Sequence, residues 1–97
     1  MESLYFEYAA CGKIAKRSHV GVAGSGDLEI LLEPSPDECA RVSIRTSAEG
    51  FSERWKALFD RFFSTHDYAV AVHINDFGAT PGVVSLRLAQ AVEVAQT

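Results

Sequence analysis

The sequence predicts an α+β fold: a single two-layer domain in the order β-β-β-β-α-β-α, with a mixed, mostly antiparallel sheet and two helices on one of its faces. Three observations carry this. Four segments before Gly50 alternate apolar and polar residues with the period of a strand buried on one side. Residues 55–63 then switch to helical spacing, and after one more alternating segment a Thr-Pro pair opens a second helix.

The first strand is read from Leu4, Phe6 and Tyr8, which alternate with Tyr5 and Glu7. A polar, basic stretch over residues 12–18 separates it from a second run, residues 19–23, with Val20 and Val22 on one side. Gly24-Ser25-Gly26 interrupts the pattern. Beyond it Leu28, Ile30 and Leu32 alternate with Glu29, Leu31 and Glu33, which predicts a hairpin across the glycine pair. Pro34-Ser35-Pro36 ends that strand, because proline cannot donate to the ladder. Ala40, Val42 and Ile44 form the fourth alternating set, and four antiparallel strands in sequence are expected.

Trp55, Leu58, Phe59, Phe62 and Phe63 share one helical face, with Glu53, Arg54, Lys56, Asp60 and Arg61 opposite. Val70, Val72 and Ile74 return to period two and predict the fifth strand. Thr80 is a good N-cap and Pro81 suits the first helical position, so the second helix starts there and runs to about Val94. No linker or repeat divides the chain, and residues 1–97 are expected to form one domain.

Composition sets bounds on function. The 97 residues are 47 % hydrophobic and 23 % charged, ordinary for a folded domain. A net charge of −4 offers no general attraction to nucleic acid or anionic lipid, so neither is an expected partner. The N-terminus has no basic and apolar leader pattern, and no stretch reaches the roughly eighteen apolar residues of a membrane span, so a cytoplasmic location is expected. Cys11 and Cys39 are the only cysteines, and His19, His66 and His73 lie far apart, so neither a structural disulfide nor a metal site is expected. No nucleophile elbow, phosphate loop or paired acid–base motif is present, and no catalytic residue is assigned.

Two segments exceed what packing demands. Gly24-Ser25-Gly26-Asp27 reads as a tight turn, with Gly24, Gly26 and Asp27 supporting a serine hydroxyl open enough for a modifying enzyme to reach. Free amides of such a turn can form a nest for a phosphodiester. In Asn75-Asp76-Phe77-Gly78-Ala79-Thr80-Pro81-Gly82 the loop either serves only to start the helix or presents Asn75, Asp76 and Phe77 near the surface for partner docking. Lys13, Lys16, Arg17 and His19 form a basic stretch that is either solvated or steers an anionic arm or an acidic partner.

The segments Val20-Gly21-Val22-Ala23-Gly24-Ser25-Gly26-Asp27-Leu28-Glu29 and Ile74-Asn75-Asp76-Phe77-Gly78-Ala79-Thr80-Pro81-Gly82-Val83-Val84 resemble the acyl carrier (delta) subunit family of malonate decarboxylases. The resemblance runs from the first strand to the last helix. It implies a non-catalytic carrier whose Ser25 holds 2′-(5″-phosphoribosyl)-3′-dephospho-coenzyme A through a phosphodiester. It also implies partners: a nucleotidyltransferase that attaches the group, an acetyl-carrier:malonate transferase subunit, the decarboxylase subunits and a malonyl-loading acyltransferase. A citrate lyase-type acyl carrier and an unmodified interaction or regulatory module are the alternatives.

Overall fold

A computed structural model describes residues 1–96. Its elements are β1 (Glu2–Ala9), β2 (Ser18–Gly21), β3 (Leu28–Pro34), β4 (Cys39–Thr46), α1 (Ser52–Thr65), β5 (Val70–Asp76) and α2 (Pro81–Gln96). This is the predicted β-β-β-β-α-β-α order in an α+β fold. The five strands form one sheet in the order β1-β4-β5-β3-β2.

β2 and β3 make the expected hairpin, but the four leading strands do not lie side by side. β5 inserts between β3 and β4, antiparallel to the first and parallel to the second. Parallel neighbours need a crossover, and α1 supplies it. β1 pairs with β4 over its whole length, from Glu2 opposite Thr46 to Ala9 opposite Cys39. The first two strands therefore occupy opposite edges. Residues 10–17 cross one end of the sheet to join them, held where Gly12 bridges Tyr68 and where the Ala15 and Lys16 amides both donate to the Ala95 carbonyl at 3.1 Å.

The alternation sorts side chains between two faces. Leu28, Ile30 and Leu32, Val42 and Ile44, and Val70, Val72 and Ile74 are buried beneath the helices. α1 adds Trp55, Leu58 and Phe59, and Phe63 reaches β1, where its ring lies 4.7 Å from that of Tyr8. Burial and the hydrogen bond to Asp60 push the Tyr8 phenol up. α2 buries Val84, Leu88, Ala91, Val92 and Ala95 against β2 and β3. Its start is capped as predicted: Thr80 Oγ1 accepts the Val83 amide at 3.3 Å, and the Thr80 carbonyl accepts that of Val84. The other face carries Tyr5, Glu7, Arg41, Ser43 and His73, and no helix covers it.

Candidate functional site

The site lies at the end of the sheet where β5 finishes. β2 stops at Gly21, earlier than the alternation suggests, because the backbone there takes φ +83°. Residues 22–27 then fold into a compact connection. The Gly24 amide donates to the Val22 carbonyl at 2.9 Å, and the Asp27 amide to the Gly24 carbonyl at 3.0 Å, closing a turn with Ser25 and Gly26 at its centre. Gly26, at φ +75°, supplies the positive dihedral that the third position of such a turn requires. Ser25 is exposed, and among the described residues its hydroxyl has no hydrogen-bond partner. A Cβ on Gly26 would meet nothing within 4 Å, and one on Gly24 only Val22 Cγ1 at 3.9 Å. The space around the hydroxyl is open on both sides.

Asp27 fixes this turn to the helix layer. Arg87 on α2 forks onto it, Nη2 to Oδ2 at 2.8 Å and Nε to Oδ1 at 3.2 Å, while Nη1 donates to Gln90 Oε1. The guanidinium, followed by the Leu28 amide, holds the Asp27 carboxyl below the usual range. Asp27 is thus more than a local turn residue. The turn is not the amide nest expected for a phosphodiester, since the Gly24, Gly26 and Asp27 amides already donate to carbonyls. The Ser25 amide has no such acceptor among the described residues.

The second segment lies against the first. The Gly26 amide donates to the Phe77 carbonyl at 2.8 Å, and the Phe77 amide donates to the Asp27 carbonyl at 3.0 Å. These two bonds extend the β3–β5 ladder, which ends with Leu28 opposite Asp76. Asp76 does not lie near the surface as expected; it is 3 % exposed. It shares the buried phase of Val70, Val72 and Ile74, and its Oδ2 accepts the Thr46 hydroxyl at 2.8 Å while Oδ1 accepts the Ala79 amide at 3.0 Å. Asn75 falls on the open face and donates to Glu29 Oε1 at 3.0 Å. That bond, and then the contact with His19, holds the Glu29 carboxyl low. Phe77 is half-buried.

Beyond Gly78 and Ala79 opens a cleft of about 540 Å³ between α1 and the first turn of α2. Trp55, Leu58 and Val84 give it apolar walls, Thr46 and Asp76 line it as well, and Arg54 and Arg61 reach it from the exposed side of α1. No group of three or more potential metal ligands occurs among the described residues, and Cys11 and Cys39 are both free thiols. No helix is long and apolar enough to cross a membrane among them.

The basic stretch lies elsewhere. Lys13, Lys16 and Arg17 belong to the crossing at the start of β5, a strand of seven residues, and so stand about 20 Å from the Ser25 turn at its finish. Arg17 pairs with Glu33 at 3.7 Å and His19 with Glu29 at 2.9 Å. This geometry argues against Lys13, Lys16 and Arg17 steering a group on Ser25, while His19, nearer the turn, is engaged by Glu29 beside Asn75. Arg87 was not anticipated, although it is the single cation between residues 80 and 96. Thr46, Arg54 and Arg61 also escaped notice as site residues.

Comparison with known proteins is consistent over nearly the whole chain. Residues 15–95 match the family model described as malonate decarboxylase delta subunit (MdcD). A malonate decarboxylase acyl carrier protein of Azotobacter vinelandii is 51 % identical over 94 residues, covering 96 % of this chain and 95 % of the relative. One from Pseudomonas paraeruginosa is 48 % identical over 96 residues, covering 98 % and 97 %. The fold matches a chain in the crystal structure of a Pseudomonas malonate decarboxylase hetero-tetramer in complex with malonate, with a TM-score of 0.92, 46 % identity, and coverage of 97 % of this chain and 98 % of that one.

Proposed function

The chain belongs to the malonate decarboxylase delta subunit family, and on that premise we propose that it is the acyl carrier of a malonate decarboxylase, with its acyl groups borne on an arm attached to Ser25. One observation carries the choice of residue: Ser25 presents an exposed hydroxyl, unengaged among the described residues, at the centre of a turn whose Gly24, Gly26 and Asp27 amides are all held. The open space at both flanking glycines fits a bulky phosphodiester substituent. The arm is 2′-(5″-phosphoribosyl)-3′-dephospho-coenzyme A, which supplies, when bound, a terminal thiol for acetyl and malonyl thioesters.

This chain's residues have three tasks. Gly24 and Gly26 clear the approach of the nucleotidyltransferase. Asp27 and Arg87, with the two bonds to Phe77, keep the attachment point in one place on the domain surface. The segment beside it, through Asn75 and Phe77, contributes to docking on the transferase, decarboxylase and acyl-loading subunits, whereas Asp76 acts from inside as a brace. Tethering makes each meeting of thioester and partner site effectively intramolecular, so the carrier itself needs no catalytic group. The reading places the chain in the cytoplasm with its partners. Family membership favours malonate over the substrate of a citrate lyase-type carrier.

The test is peptide mass spectrometry of the chain from cells growing on malonate. We expect the arm's mass on the peptide containing Ser25, and none in the Ser25→Ala variant, which should fold normally and fail to support decarboxylation. An unmodified Ser25 in such cells would discard the carrier reading and favour an unmodified interaction module.

A further inference from the structure

The cleft between α1 and α2 has a shape and charge that the carrier reading leaves unused. Its walls are apolar, from Trp55, Leu58 and Val84, yet two arginines face it. Arg17, Arg41 and Arg87 each pair with a carboxylate, whereas among the described residues Arg45, Arg54 and Arg61 pair with none, and of these three only Arg54 and Arg61 line the cleft. The Arg54 guanidinium lies over the Phe51 ring at 5.1 Å. The two sit seven residues apart, which is about two helical turns, on the same side of α1. Leaving two cations uncompensated at an apolar opening, in a chain of net charge −4, suits a ligand with an apolar body and an anionic end. Asp76 is the one carboxylate in the lining, and its oxygens already accept the Thr46 hydroxyl and the Ala79 amide.

The cleft also adjoins the attachment turn. Gly78 lines it, and the Cβ direction of Gly78 points to within 4.0 Å of the Gly26 amide nitrogen. Phe77, the preceding residue, exchanges two backbone bonds with Gly26 and Asp27. One short loop is therefore both the rim of the cleft and the support of Ser25. An arm rooted at Ser25 has only to pass over that loop to reach the opening.

We propose that this cleft shelters the acyl end of the Ser25-linked arm between visits to partner subunits, with Arg54 and Arg61 selecting a malonyl thioester over an acetyl one through its free carboxylate. The inference rests on the carrier reading above. Its consequence is protection: a malonyl thioester held against Trp55 is withdrawn from water until a partner draws it out.

Trp55 is the only tryptophan in the chain, so it reports the cleft directly. The experiment compares the full chain in three forms, unmodified, acetyl-loaded and malonyl-loaded, with loading at Ser25 confirmed by mass. Acrylamide quenching of Trp55 and alkaline hydrolysis of the thioester are then measured for each. The malonyl form should show the least quenching and should hydrolyse more slowly than the acetyl form relative to the corresponding free thioesters. The double variant R54E/R61E alters exposed side chains only, and it should abolish both differences while retaining a native far-ultraviolet spectrum. Equal quenching in the unmodified and malonyl-loaded chains, with the adduct present on Ser25, would overturn the shelter and leave the carrier reading intact. Absence of any adduct on Ser25 would overturn both.

Discussion

Replacing Asp76 with alanine tests the claim that a buried carboxylate braces the loop beneath Ser25. The side chain accepts the Thr46 hydroxyl at 2.8 Å and the Ala79 amide at 3.0 Å while being 3 % exposed. Hydrogen bonds to a charged group contribute about 1.5–3 kcal/mol each, so two bonds bound the loss at roughly 3–6 kcal/mol. The lower end applies, because the Thr46 hydroxyl can donate instead to the Ala48 carbonyl, already 3.4 Å away, and Ala79 is only half-buried, its amide open to water. A loss of about 3 kcal/mol is large against the roughly 5–15 kcal/mol expected of a domain this size. It corresponds to a fall in Tm of roughly 12–24 °C at ~4–8 °C per kcal/mol. Urea unfolding followed by Trp55 fluorescence measures it, and Asp76→Asn, which retains one acceptor, should lose about half as much. A loss under about 1 kcal/mol for Asp76→Ala would show that the carboxylate does not brace the loop, refuting the reasoning.

Two further outcomes follow from the turn. Gly21→Ala should destabilise by more than about 3 kcal/mol, since it adds a left-handed backbone cost of ~1–2 kcal/mol to a Cβ driven into the Leu28 carbonyl, whereas Gly26→Ala, with φ +75° but open space, should lose only the backbone cost; urea midpoints of the two compare them directly. Because the Asp27 carboxyl is held low by Arg87, its contribution is fully present above the ordinary aspartate range and is lost as pH falls through the depressed value. Amide exchange at Gly26 should accelerate over that acid window beyond its intrinsic pH dependence, and Arg87→Met should remove the excess.

The elements were legible because each has a strong local signature, and their neighbours were not. Period two tells which face of a strand is buried and says nothing of what lies beside it. β3 and β4 both carry clean alternation, yet β5 separates them, which only the parallel pairing of β4 and β5 across α1 reveals. The same rule did contain the position of Asp76: extending Val70, Val72 and Ile74 by one step places it inside. Its charge suggested the surface, and the pattern prevailed because Thr46, in the matching phase of β4, offers a hydroxyl directly opposite. Arg87 could not be matched to Asp27, 60 residues earlier, by any spacing rule. The two bonds between Phe77 and the turn are made by backbone groups, which leave no mark on residue identity.

The attachment turn combines a fixed frame with a free hydroxyl, and this division bears on how such a carrier would work. Asp27 is tied to α2, Gly26 and Phe77 lock the turn to the end of the central strand, and Asp76 anchors the next loop to β4. Three elements thus converge on a residue that itself bonds to none of them. A floppy loop would add its own ordering cost to every docking event, on the scale of about 1–2 kcal/mol per residue fixed. Held in one conformation, the turn confines motion to the arm beyond the serine. The effective concentration at a partner site is then set by arm length and by where the domain docks. Loosening the frame without touching Ser25, as Arg87→Met does, should therefore leave the capacity for modification in place while weakening transfer between subunits, a separation that Ser25→Ala cannot produce.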